Sequence, residues 1–202
     1  MIQSAGIALV VKSLLGTSPI SSLPYVLSLI SPFTFGQTTF AVNMVFVVFE
    51  LLMLRRDFPA VFWLQIPVTI LFGFCIDFFM NLFTIVPDAY ALKLLLCLLG
   101  TALVALGVAG QGIADVLMLA GEGAVYTFAH QFHIDFGKVK VGNDISLVIL
   151  AAIVSVLTMG TIEGIREGTL ISALLTGITA RFYLRHLSRI DAHGRIYLAP
   201  HR

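Results

Sequence analysis

The sequence predicts an all-α transmembrane protein, a six-span helical bundle built from two inverted three-span repeats with discontinuous first and fourth helices. Three observations carry that expectation. Of 202 residues, 58% are hydrophobic and only 11% are charged, less than half the ~25% charge of a soluble domain. The apolar residues form continuous runs approaching the ~20 residues that a helix needs to cross a ~30 Å hydrocarbon core. Short matches also recur between the first and second halves at one fixed offset.

The runs cover residues 2–15 with an extension to 30, then 39–54, 61–85, 92–114 with an extension to 132, 145–159 and 169–183. Backbone groups in lipid must be satisfied internally, so these runs are read as helices. A transmembrane barrel would need short segments of alternating polarity instead. A cleaved signal peptide would account for one run, not six. The net charge of +1 is uninformative as a sum, and nothing supports nucleic-acid binding. Cys75 and Cys97 sit inside apolar runs without metal-ligand spacing, so they read as packing residues rather than redox groups.

If each run crosses once, Arg55, Arg56, Lys138, Lys140 and the tail residues Arg181, Arg185, Arg189, Arg195 and Arg202 fall on one side. Only Lys93 and Arg166 fall on the other. The positive-inside rule then places both termini and the Arg55 and Lys138 loops in the cytoplasm. The expected location is a bacterial inner (plasma) membrane. The expected organisation is one integral membrane domain over 1–202, with repeat one at 1–86, repeat two at 92–184 and a basic tail at 185–202. That tail reads as a topology anchor, with an interfacial helix on anionic lipid as the alternative.

The repeat rests on Gly6-Ile7-Ala8 against Gly107-Val108-Ala109, Phe35-Gly36 against Phe136-Gly137, and Asn43 against Asp144. After a small insertion, Leu71-Phe72-Gly73 and Phe78 fall on Leu175-Thr176-Gly177 and Phe182. Three spans per half is an odd number, so the second half must be inverted, as in many secondary transporters. A rival count takes 20–30 and 123–132 as full spans, giving a parallel four-span repeat, but those pieces are only ~11 residues long. Residues 93–101 have no counterpart ahead of Gly6, and the expectation is a start upstream of Met1.

Both halves break at the same place. Gly16-Thr17-Ser18-Pro19 interrupts the first span, where Pro19 removes a backbone donor and biases Ser18 away from helix. Leu119-Ala120-Gly121-Glu122-Gly123 is likewise a poor helix interior. A restarting half-helix directs its positive N-terminal end into the membrane, where transporters commonly hold substrate or a coupling ion. The structural alternative is a kink or a re-entrant packing segment.

Ionisable residues inside a membrane cost at least ~2.5 kcal/mol at the bilayer centre and rarely face lipid. Lys12 precedes the first break, while Asp115 and Glu122 flank the second, so a pair across the pseudo-symmetry axis is expected, either structural or as a relay. The candidate substrate-binding set is Lys12, Thr17, Ser18, Asn43, Gln111, Asp115, Glu122 and Asp144. Asn43 and Asp144 also read as caps of their own spans. Gln65, Asp77 and Asn81 are further polar groups within spans. Glu50, close to Arg55, reads as solvated at the cytoplasmic surface. Gly160, Gly164, Gly168, Ser172, Thr176 and Ala180 form a small-residue packing stripe. His130, His133 and Asp135 read as an interfacial cluster, and Glu163, Arg166 and Glu167 as an exposed one. No metal and no cofactor is expected.

Gly16-Thr17-Ser18-Pro19-Ile20, Phe35-Gly36 with Asn43, and Gly168-Thr169-Leu170-Ile171-Ser172 with Gly177 together resemble the bacterial YczE/YitT-type integral membrane proteins, the YczE-like branch more closely. The resemblance implies a small multispanning plasma-membrane protein without assigned catalytic or substrate residues. It departs from the family pattern at Arg166-Glu167, where neutral small residues are usual.

The leading functional expectation is a secondary transporter or exporter of a small polar or charged solute or ion. A non-catalytic membrane subunit or scaffold that docks a partner protein is the second. An enzyme is not expected, because no nucleophile stands with a base at helical spacing. The lipid bilayer is the surrounding partner, and a homo-oligomer is compatible with the small-residue stripe.

Overall fold

The computed structural model describes residues 1–55, 60–84, 86–114, 118–190 and 196–198. Its helices are α1 (Ile2–Lys12), α2 (Pro19–Ile30), α3 (Phe35–Leu54), α4 (Gln65–Leu82), α5 (Tyr90–Ala114), α6 (Ala120–Gln131), α7 (Phe136–Met159) and α8 (Glu167–Leu187). A 3-10 turn, Ala60–Leu64, precedes α4, and the antiparallel pair β1 (Ser188–Ile190) and β2 (Ile196–Leu198) closes the chain. The described tail residues thus continue α8 to Leu187 and then pair as two short strands.

Among the described residues, four segments are long and apolar enough to cross a membrane: Phe35–Leu54, Ala60–Leu82, Tyr90–Ile113 and Phe136–Met159. Ile2–Lys12, Pro19–Ile30 and Glu167–Ala180 are shorter apolar helices. Large apolar side chains cover the outer faces of the long helices, among them Val45, Leu52, Phe74, Leu99, Ile153 and Leu157. A coat of that kind exceeds what water tolerates on a monomer and suits lipid. The protein is therefore membrane-embedded and helical.

Two long helices start earlier than the apolar runs suggest, and capping explains why. Thr34 accepts from the Gln37 amide while Gln37 returns a bond to the Thr34 amide, a reciprocal capping box that starts α3 at Phe35. Asp135 caps α7 through the Lys138 amide, so Lys138 and Lys140 lie in a helix and not in the expected loop. Gly160 ends α7 in the left-handed conformation (φ 71°), and Gly164 lies in the following turn. The small-residue stripe consequently acts within a helix only from Gly168 onward. There, a Cβ would lie 2.6 Å from the Leu15 carbonyl oxygen.

The two halves repeat element by element. The spacing that takes Pro19 to Ala120, the starts of α2 and α6, also takes Phe35 to Phe136, the starts of α3 and α7. Both short helices enter from an extended N-cap, Ser18 and Leu119. Packing follows the same symmetry, with α1 on α4 as α5 is on α8, and α2 on α7 as α6 is on α3. The corresponding helices α1 and α5 pack on each other. Gln3 lies beside Gly107, Gly6 beside Gly100 and Val104, and Val10 beside Gly100, so these two run antiparallel. Their contact is close because the glycines lack a Cβ, as is that of α3 and α4, where Gly36 meets the backbone of Gly73.

The core gathers Ile7, Val11, Phe35, Phe72, Ile76, Val104 and Leu119 from four helices and the second break. At the first break Ser13 folds its hydroxyl back onto the Val10 carbonyl (2.6 Å). Leu14 and Gly16 then adopt φ values of 61° and 115°. Gly16 presses on Thr169 Oγ1 and the Arg166 amide, and the Thr17 amide donates to Thr169 Oγ1 at 3.2 Å. The chain leaves α1, docks on α8 and restarts.

Candidate functional site

At 12 residues each, α2 and α6 are ~18 Å long, about half of a hydrocarbon core. Their N-termini meet: Ile20 Cδ1 lies 2.7 Å from where a Gly121 Cβ would be. The meeting point is level with the middle of α3, because Asn43 Oδ1 accepts from the Gly121 amide at 3.2 Å. From there α2 runs toward the start of α3, with the Pro24 carbonyl accepting from Thr38 Oγ1 at 2.8 Å. Helix α6 runs the other way, stacking Phe128 on Phe49. Asn43 is therefore a cap, as the sequence suggests, but of α6 rather than of its own helix.

Between the two ends lies a cavity of about 20 Å³, with Gln3, Ser21, Thr39, Asn43 and Glu122 as polar lining and Ile7, Ile20, Phe72 and Leu119 closing it. That volume holds about one water molecule. A chain of side-chain amides encloses it. The Leu119 amide donates to Gln111 Oε1 (2.9 Å), Gln111 Nε2 donates to Gln3 Oε1 (2.6 Å), and Gln3 Nε2 reaches Glu122 Oε1 at 3.5 Å. Glu122 is buried in the first turn of α6, where the helix N-terminus favours an anion.

A charged pair completes the electrostatics. Lys140 Nζ bonds Asp144 Oδ1 at 2.9 Å on α7, with side chains about one-fifth exposed (22% and 19%), and both groups lie within electrostatic reach of Glu122. One ammonium thus stands among two carboxylates.

A larger recess of about 450 Å³ opens beside the cavity between α1, α4 and α5. Gln3, Phe72 and Leu119 line both spaces, and Gln111 lines the recess. The Gln3–Gln111 bond therefore stands at the partition between an open vestibule and a closed centre.

The sequence-derived candidates separate into three groups. Asn43, Gln111 and Glu122 converge at the centre, Asp144 joins them through Lys140, and Ser18 stands at the N-cap position of α2 with its hydroxyl donating to the hydroxyl of the cavity-lining Ser21 (3.0 Å). Thr17 is fully buried against α8, its hydroxyl without a partner. Lys12 is half-buried at the end of α1 and makes no hydrogen bond or ion pair among the described residues, so the expected bridge to Glu122 is absent. Asp115 falls outside the described residues. Asp77 accepts from Thr34 Oγ1 (2.6 Å) and the Gly36 amide (2.7 Å), fastening α4 to the start of α3.

Sequence reasoning missed Gln3, Ser21, Thr39 and Lys140. Ser21 was within reach, since the repeat spacing pairs it with Glu122; Lys140 was hidden by its assignment to a loop. Glu50 needs the largest correction: it is fully buried, its carboxylate pressed against Gly123 of α6, not solvated.

Residues 1–185 match a protein-family model described as a family of unknown function, DUF6198. No curated protein and no solved structure matches the chain. The chain belongs to the DUF6198 family.

Proposed function

We propose that this DUF6198 protein is a secondary transporter or exporter, moving a small polar or charged solute through the place where α2 and α6 meet. One observation carries the reading: two half-helices aim their N-terminal ends at one buried polar cavity in a membrane-embedded bundle. Amide dipoles and a carboxylate there supply both acceptors and donors. In this reading the bundle has six spans, of which α3, α4, α5, α7 and α8 cross fully and α1, at 11 residues, is a short one, with α2 and α6 as re-entrant halves. The antiparallel course of α1 and α5 supports inverted repeats. The distribution of Arg and Lys supports both termini lying on the cytoplasmic side of a bacterial plasma membrane. A YczE/YitT-type relationship fits the same residues, Gly16 to Ile20 forming the first break and Gly168 to Ser172 packing against it.

The cavity, with room for about one water, makes this an occluded form. Solute entry requires the Gln3–Gln111 partition to part, joining the vestibule to the centre. The test is thermal stabilisation of purified protein across amino acids, organic acids, nucleosides and cations, because a ligand of the native state raises apparent stability by mass action. A reproducible upward shift in wild type that is lost in Glu122→Gln supports the reading. No shift from any class, with both proteins alike, sinks it.

A further inference from the structure

A second polar centre lies on the opposite side of α6. Gly123, next to Glu122 in sequence, faces α3 and α4, and a Cβ there would collide with Glu50 Oε1 and lie 3.0 Å from Gln65 Nε2. Glu50 is 0% exposed, Gln65 1% and Thr69 0%. Gln65 and Thr69 are one turn apart on α4 and so present one face. Both carboxylate oxygens of Glu50, Oε1 of Gln65 and Oγ1 of Thr69 are buried without a hydrogen-bond partner.

Among the described residues, no charged side chain pairs with Glu50. On its own helix Arg55 is exposed. On α4, Asp77 is held at the far end by Thr34. On α6, Glu122 turns to Gln3, and the exposed His130 stacks on Tyr126. On α2, Tyr25 packs on Phe35. The influences acting on Glu50 are its burial and the Gln65 amide, with no charge among them. An isolated buried carboxylate is strongly disfavoured unless it takes up a positive charge. A buried carboxylate with only the Gln65 amide beside it, facing the unpartnered Gln65 Oε1 and Thr69 Oγ1 and offset by no charge among the described residues, fits a single hard positive charge.

We propose that Glu50, Gln65 and Thr69 form a binding site for one monovalent cation, a proton or an alkali ion, enclosed by α3, α4 and α6. The site is separate from the cavity at Glu122, and neither depends on the other. Because α6 carries Glu122 on one side and Gly123 on the other, its first turn lies between two buried carboxyl groups.

The experiment uses purified full-length protein without any solute, so its outcome is independent of transport. Melting is followed in NaCl, KCl and LiCl against choline chloride at constant ionic strength. Infrared spectra at neutral pH report the protonated-carboxyl stretch, comparing wild type with Glu50→Gln. Saturable stabilisation by one alkali ion, lost in Glu50→Gln, identifies a metal-ion site. No alkali effect, with a protonated-carboxyl band that vanishes in Glu50→Gln, identifies a proton site. An ionised Glu50 with neither effect overturns the proposal. Should Glu50→Gln fail to fold, Thr69→Val serves: it must weaken the alkali effect or move the carboxyl band, and an unchanged melt and spectrum overturn the proposal equally.

Discussion

Replacing Gln111 with leucine removes both ends of the bridge that closes the central cavity. The Leu119 amide loses its acceptor (2.9 Å) and Gln3 Oε1 loses its donor (2.6 Å). An orphaned buried polar group costs ~1–3 kcal/mol. The two losses are unequal, because Gln3 borders the open vestibule, where water can replace the amide, whereas Leu119 is packed in the core. We therefore expect a total of about 2–4 kcal/mol. At ~2–4 °C per kcal/mol for a chain of this size, the melting temperature falls by roughly 4–16 °C. Gly110→Ala is the control, since nothing lies within 4 Å of the added methyl group, and it should stay within ~0.5 kcal/mol of wild type. The assay is a thermal melt in detergent followed by intrinsic fluorescence. A Gln111→Leu protein melting within ~1 °C of wild type would refute the bridge as a structural element.

Gly36→Ala places a methyl group against the Gly73 backbone, which cannot yield without parting α3 from α4; a loss of ~1–3 kcal/mol is expected in the same melt. Asp77→Ala removes the acceptor for Thr34 and the Gly36 amide and should cost ~1–2 kcal/mol, with wild-type stability a contrary result. Lys140→Met leaves Asp144 unpaired near Glu122. Its cost should fall between the ~1 kcal/mol of an exposed pair and the ~3–5 kcal/mol of a fully buried one. Adding Asp144→Leu should recover part of that loss, and a strictly additive double mutant would show that the pair is uncoupled. Gly16→Ala puts a side chain at φ 115° against Thr169 and should destabilise by ~1–3 kcal/mol, or more once the contact is included.

The helix breaks were legible in the sequence because they rest on local chemistry. Pro19 cannot donate, and glycine and extended N-caps mark both restarts. As polar or ionisable groups within apolar spans, Glu122, Asn43 and Gln111 stood out as well. Less legible were the starts of α3 and α7, since Gly36, Gln37 and Lys138 read as loop until Thr34 and Asp135 are seen capping the helices that contain them. Moving α7 back to Phe136 is what brings Lys140 from a supposed loop to the centre. Glu50 was not legible at all. Its distance along the chain from Arg55 suggests a surface position, while its burial depends on Gly123 of α6 and Gln65 of α4, which only the tertiary fold brings together.

The central claim is that solute passes where the two half-helices meet, and a reversible tether there addresses it most directly. In a background lacking Cys75 and Cys97, Ile20→Cys and Gly121→Cys would be paired, the first change removing the side chain that the second would strike. Bridging the two residues by disulfide formation joins α2 to α6. Flux of a solute identified by thermal stabilisation is then measured in proteoliposomes, oxidised and reduced. The account predicts that oxidation stops flux and reduction restores it, while either single cysteine leaves flux unchanged. Undiminished flux through fully cross-linked protein would contradict it.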